Sequence, residues 1–123
     1  MLVSKYEGPW DIRMLKEVEE WLDQLDDRTR TRVDQSIDLL IDFGPELGRP
    51  TVDTLQHCKL ANLKELRSGT IRILFAFDPW RCAILLVAGN KAGSWNKWYT
   101  KAIPIAQKRF DEYLRDRAEE ENR

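Results

Sequence analysis

Histidine occurs once in this 123-residue chain, at position 57, and cysteine twice, at 58 and 82. That spacing offers neither a metal site nor a disulfide framework. A Ser-His-Asp relay would have to use His57, which stands in a loop without a serine motif and reads either as a general base or as an ordinary loop residue. Also missing are a glycine-rich phosphate loop and a nucleophile elbow. The longest apolar run, residues 82–88, is far short of the about 20 residues that cross a bilayer. The first residues carry no signal-peptide pattern, so the expected location is a reducing cytoplasm, with no membrane partner. Acidic residues are scarce in one stretch only. Residues 59–110 hold 10 Lys+Arg against 2 Asp+Glu, whereas residues 1–58 hold 7 against 13 and residues 111–123 hold 3 against 6.

What is present builds a single domain over 1–123. A short edge strand is expected over 10–13. Leu15, Val18, Leu22 and Leu25, with Met14 and Trp21 alongside, predict a helix over 14–25. Val33, Ile37, Leu40 and Ile41 predict a second, opened by Asp26-Asp27 and ended by Gly44-Pro45. Residues 46–58, broken by Gly48, Pro50 and Thr51, read as a loop. Ser68-Gly69 is then a hairpin turn that sets Arg67 against Thr70, Leu66 against Ile71 and Glu65 against Arg72. Alternation puts Glu65, Arg67, Thr70 and Arg72 on one face, and Leu66, Ile71, Ile73, Phe75 and Phe77 on the other. Asp78-Pro79-Trp80-Arg81 turns the chain into a central strand over 82–88, with Val87 beside Arg72. A loop over 89–101 follows, then a helix entered at Pro104 and carrying Ile105, Ala106, Phe110, Tyr113 and Leu114; the tail over 118–123 reads as frayed. The fold class is α+β: an N-terminal helical hairpin packed on a small antiparallel sheet, plus a C-terminal helix.

A basic segment inside a nearly neutral chain suggests a face for a polyanion, the alternative being that it pairs internally with the acidic helices. Arginine forks match phosphate oxygens, aromatic rings stack on unpaired bases, and RNA supplies its own nucleophile in the 2′-hydroxyl. A site that aligns the backbone, moves a proton and stabilises charge on phosphorus could cleave RNA without metal or cofactor. The base would be a lysine whose pKa is lowered by neighbouring positive charge, and the acid a tyrosine or a second lysine. Arg72 stands mid-strand, either as a functional group or as a structural partner of Glu65. Arg67, Lys91 and Tyr99 complete the candidate catalytic set, and Lys64, Trp95, Lys97, Trp98 and Lys101 the candidate RNA-binding set. The two tryptophans serve equally as pins that hold the loop to the core.

Glu65-Leu66-Arg67 with Arg72-Ile73-Leu74, followed by ILLVAGNKAG and Trp98-Tyr99, resembles the HigB branch of the RelE/ParE toxin superfamily over residues 10–114. The resemblance implies a RelE-like fold and a ribosome-dependent endoribonuclease that cuts translated mRNA. It also implies neutralisation by a cognate helix-turn-helix antitoxin, whose complex binds operator DNA. By the same resemblance, Arg72 matches the strand arginine at the scissile phosphate, Lys91 the basic residue after the last strand, and Tyr99 the C-terminal tyrosine of RelE. RelE's lysine before the Leu-Arg pair is Glu65 here, with Lys64 next to it. ParE-type relatives, which inhibit DNA gyrase, and inactive binding relatives are the alternatives.

Overall fold

The computed structural model describes residues 2–56, 62–93 and 95–122, with the side chains of 2–5 and 95 excepted. His57 and Cys58 lie outside the described residues. Among the described residues six strands form one sheet: β1 (Leu2–Tyr6), β2 (Asp11–Leu15), β3 (Val52–Thr54), β4 (Lys64–Ser68), β5 (Ile71–Phe77) and β6 (Cys82–Asn90), in the order β1-β2-β6-β5-β4-β3. The helices are α1 (Lys16–Asp23), α2 (Asp27–Phe43) and α3 (Trp95–Glu121). Among the described residues, no helix is long and apolar enough to cross a membrane.

Sheet pairing overrides several expectations. The strand expected at an edge over 10–13 is β2, which lies inside the sheet between β1 and a parallel β6. The sheet is therefore mixed, antiparallel from β6 to β3 and parallel at β2/β6. Met14 and Leu15 belong to β2 and not to the first helix, because both bury fully where β1 and β6 flank them. The expected loop over 46–58 contains β3, a three-residue edge strand on β4.

Helix α2 matches its expected span. Asp26 caps it by accepting from the Thr29 N–H at 2.7 Å. Helix α2 packs on β4 and α1 on β6. Leu66, Ile71, Ile73 and Phe75, all 4% exposed or less, fill the sheet face under these helices. Burying each such side chain is worth about 1.5–3 kcal/mol before entropy is subtracted.

Helix α3 starts nine residues before Pro104, so the expected loop over 89–101 is helical from Trp95 onward. Ala102, Ala106, Phe110 and Tyr113 form one buried stripe at spacings of four, four and three residues. That stripe keeps the helix continuous through Pro104, where an interior proline costs about 3 kcal/mol. The helix also runs on through the expected frayed tail to Glu121. Between β5 and β6 the register slips after Leu74, leaving Leu86 outside the pairing, and Arg109 of α3 donates to the Leu86 carbonyl at 2.7 Å.

Candidate active site

The β4–β5 hairpin turns one residue later than expected. Gly69-Thr70 is the turn, Ser68 pairs with Ile71, and Arg67 stands directly opposite Arg72. Gly69 has φ +58°, the left-handed value that the first central position of a type II′ turn requires. The slip changes partners but not faces, because moving the turn by one residue moves the pairing by two. Glu65, Arg67 and Arg72 therefore share a face as expected, while Glu65 sits opposite Leu74. Gly89, not Val87, lies beside Arg72.

Two like charges directly opposite on a sheet repel, so a counter-charge is required. Glu65 supplies it at 3% exposure. Its Oε1 lies 3.5 Å from Arg72 Nε and its Oε2 lies 3.6 Å from Arg67 Nη2. Tyr99 of α3 donates its hydroxyl to the same carboxylate, with Oε2 at 3.0 Å and Oε1 closer still. Arg72 Nη1 also donates to the carbonyls of Gly69 and Ile71 at 2.7 and 2.9 Å, which fixes the guanidinium against the turn. Toward solvent, Arg67 Nη2 reaches Asp53 Oδ2 at 3.1 Å, and Arg49 Nη2 reaches the same oxygen at 3.2 Å. The arrangement is a row of charges running from the buried Glu65–Arg72 pair out to exposed Arg49. It holds three guanidiniums against two carboxylates.

The cations are thus partnered, but by carboxylates of the sheet and not by the acidic helices. The Glu65–Arg72 pair, one of the two open readings of Arg72, is present. Arg67 and Arg72 nevertheless keep a buried Nε without a hydrogen-bond acceptor, as does Arg13 on β2. An unmet buried donor costs about 1–3 kcal/mol, so two on adjacent strands need a reason. Burial first, and then the Glu65 carboxylate, push the Tyr99 phenol up to about 12, so Tyr99 is a protonated donor near neutrality. The hydrogen bond from Arg49 holds Asp53 below the usual carboxylate range.

The other candidate residues surround this core unevenly. Trp98 is half-buried with its ring over Gly89, where a Cβ would overlap the indole, and it packs edge-on to Tyr99 at 5.0 Å. It pins α3 to the sheet. The backbone N–H of Lys91 donates to the Thr70 carbonyl at 3.0 Å, which places this residue beside the hairpin turn. Lys97 and Lys101 are exposed on α3 and not in a loop. The Trp95 side chain lies outside the described residues. Lys64 projects from the opposite face to Glu65, with its Nζ 3.5 Å from Thr54 Oγ1, and does not join Arg67 and Arg72. Sequence reasoning missed Asp53 and Arg49, which sit among turn-forming residues without periodicity. Glu65 was placed on this face as a possible structural partner of Arg72 and as a departure from a family lysine, but not as a member of the reaction centre. Among the described residues, no group of three or more His, Cys, Asp or Glu gathers to hold a metal ion.

Residues 20–111 match the family described as Phage derived protein Gp49-like (DUF891). HigB3 of Mycobacterium tuberculosis (strain ATCC 25618 / H37Rv), which is named as a toxin, is 50% identical over 105 residues, covering 84% of this chain and 92% of HigB3. This chain belongs to the HigB-like toxin family. HigB2 of the same organism, also named as a toxin, is 46% identical over 105 residues, and the HigB-like chain spans about half of it, 52%. The fold agrees with solved RelE-type structures. The toxin-antitoxin complex RelBE2 of M. tuberculosis gives a TM-score of 0.53 at 19% identity, over 71% of this chain and 99% of that one. The RelE-RelB complex of Pyrococcus horikoshii OT3 gives 0.55 at 18%, over 68% and 96%. A mutant of E. coli toxin RelE in the free state gives 0.54 at 12%, over 82% and 97%. The HigB-like chain thus has the RelE fold, with a strand pair ahead of its helices.

Proposed function

We propose that this HigB-like chain is the toxin of a type II toxin-antitoxin pair and arrests growth by cutting mRNA at the ribosome. The observation that carries the reading is the pair of strand guanidiniums, Arg67 and Arg72, each with a buried unmet Nε beside a carboxylate and a protonated phenol. In this reading phosphate oxygens of RNA take the place of Asp53 beside the part-exposed Arg67, and the two fixed positive charges stabilise the charge that builds on phosphorus. The Glu65 carboxylate takes the proton of the 2′-hydroxyl as its oxygen attacks phosphorus. Tyr99 keeps Glu65 oriented. The bond to the 5′-oxygen breaks, Lys91 gives that oxygen a proton, and the products are a cyclic phosphate and a 5′-hydroxyl. Lys97 and Lys101 steer the backbone electrostatically, Lys64 contacts RNA from the far face of the sheet, and Trp98 frames the entrance. A cognate helix-turn-helix antitoxin covers the site and carries the complex to operator DNA.

One observation favours a rival. Glu65 already partners both arginines, as it would in an inert relative that only binds. Inducing the protein alone in a bacterial host, with mapping of new mRNA 5′ ends, separates the two. The nuclease reading expects growth arrest and cut transcripts, and losses of roughly 10²–10³ in cleavage for Arg72→Ala, the usual cost of removing a charge-stabilising donor. Glu65→Gln, which keeps the shape and removes the base, should be equally silent while its circular dichroism stays native. Wild-type protein that accumulates folded without cutting any transcript would leave the inert relative standing.

A further inference from the structure

Asp53 stands on the same sheet face as the reaction centre, directly opposite Glu65. Arg67 stands directly opposite Arg72 on the next row of that face. Like charges are thus paired across the strands in both rows, and each pair is tolerable only because the other lies diagonally beside it. The four side chains differ in how firmly they are held. Arg72 is tied to the Gly69 and Ile71 carbonyls at 2.7 and 2.9 Å, and Glu65 is buried. Asp53 sits on a three-residue edge strand, and its one-quarter exposed side chain is gripped at Oδ2 by Arg49 Nη2 at 3.2 Å and Arg67 Nη2 at 3.1 Å. The Arg49 side chain is 78% exposed, so water competes for this grip.

One carboxylate oxygen shared by two guanidinium forks is the contact that a phosphate oxygen would make in its place. The exchange also suits the charge. Without Asp53, three guanidiniums face the Glu65 carboxylate alone, a surplus of two positive charges for a phosphodiester that gains negative charge as it is attacked. With Asp53 in place the surplus is one. The hydrogen bond from Arg49 keeps Asp53 ionised near neutrality, so the competing charge is present whenever RNA arrives. We infer that Asp53 is a built-in phosphate mimic that restrains the site, and that a backbone phosphate must displace it to be held between Arg49 and Arg67. The inference rests on the ribonuclease reading above and adds to it a brake on RNA affinity, with Arg49 as a further phosphate ligand.

The test is the mRNA dependence of cleavage on translating ribosomes by purified wild type, Asp53→Asn, Asp53→Ser and the double variant Arg49→Ala with Asp53→Asn. Asp53→Asn keeps the shape and removes the charge. The half-saturating mRNA concentration should therefore fall roughly two- to fivefold, the worth of one exposed ion pair, with the maximal rate little changed. Asp53→Ser should act in the same direction, and the double variant should lose the gain. A merely structural Asp53 would do the reverse, because its loss would leave Arg67 loose and raise the half-saturating concentration. A value that stays or rises in both single variants, with native circular dichroism and a wild type that cuts, overturns the brake and leaves the nuclease reading in place. A double variant that keeps the gain overturns the seat on Arg49. Wild type and variants that all make no cuts overturn both readings.

Discussion

Tyr99 illustrates how one buried contact sets both chemistry and stability. A phenol held by a carboxylate ionises late, because the new charge would face Glu65 in a poorly solvated site. The folded pKa, raised from 10.0 to about 12, means that the folded chain holds this proton where the unfolded chain releases it. The stabilisation is complete below pH 10 and is lost as pH rises from about 10 toward about 12. Urea titrations of wild type and Tyr99→Phe should therefore show a stability gap at pH 8 that narrows by pH 11. A gap independent of pH would mean that Tyr99 contributes packing only. In the proposed reaction Tyr99→Phe also leaves Glu65 misaligned, so cleavage should fall with little change in substrate affinity.

At the scale of elements, the site depends on how closely α3 approaches β6. Gly89 lies opposite Arg72 and accepts the Trp98 ring where a side chain would stand. Gly89→Ala should push the first turns of α3 outward, carry Tyr99 away from Glu65, and cost about 1–3 kcal/mol through overpacking; a melting temperature and cleavage rate equal to wild type would refute the close approach. The two halves of this contact differed in how well they could be read beforehand. The shared face of Glu65, Arg67 and Arg72 was legible because strand alternation survives an error in turn position. The helix bearing Trp98 and Tyr99 was not, because Pro104 is a strong start signal, and only tertiary burial of Ala102, Ala106 and Phe110 overrides it. Likewise Met14 and Leu15 fit a helical stripe as well as a buried strand, and Leu85, the β6 partner of Met14, lies far along the chain. Asp53 and Arg49 carry no periodic signal at all, and only β3 pairing brings them to Arg67.

Across the whole molecule, α3 is fastened to the sheet at both ends by the same chemistry. Near its start, Tyr99 donates to buried Glu65, which also meets Arg72. Near its end, Tyr113 donates to Asp78 at 2.5 Å, and Arg117 donates to the Tyr113 hydroxyl at 2.9 Å while lying over the Trp80 ring at 4.6 Å. Asp78 in turn accepts the N–H groups of Trp80 and Cys82, both at 2.9 Å, which sets the β5–β6 turn. The second fastening is sealed, with the Asp78 side chain fully buried and Arg117 mostly so. The first opens to solvent through Arg67 and Arg49. A sealed network serves stability and an open one can exchange its counter-ion for phosphate, so their variants should differ in kind. Tyr113→Phe removes a buried hydrogen bond to a charged group and should cost about 1.5–3 kcal/mol with transcript cleavage retained below the melting transition. Arg67→Ala should cost less in stability, because a guanidinium one-third exposed is partly screened, and more in cleavage. Equal losses of cleavage from both, at a temperature where both are folded, would show that α3 acts as one rigid lever and that the open end has no separate role.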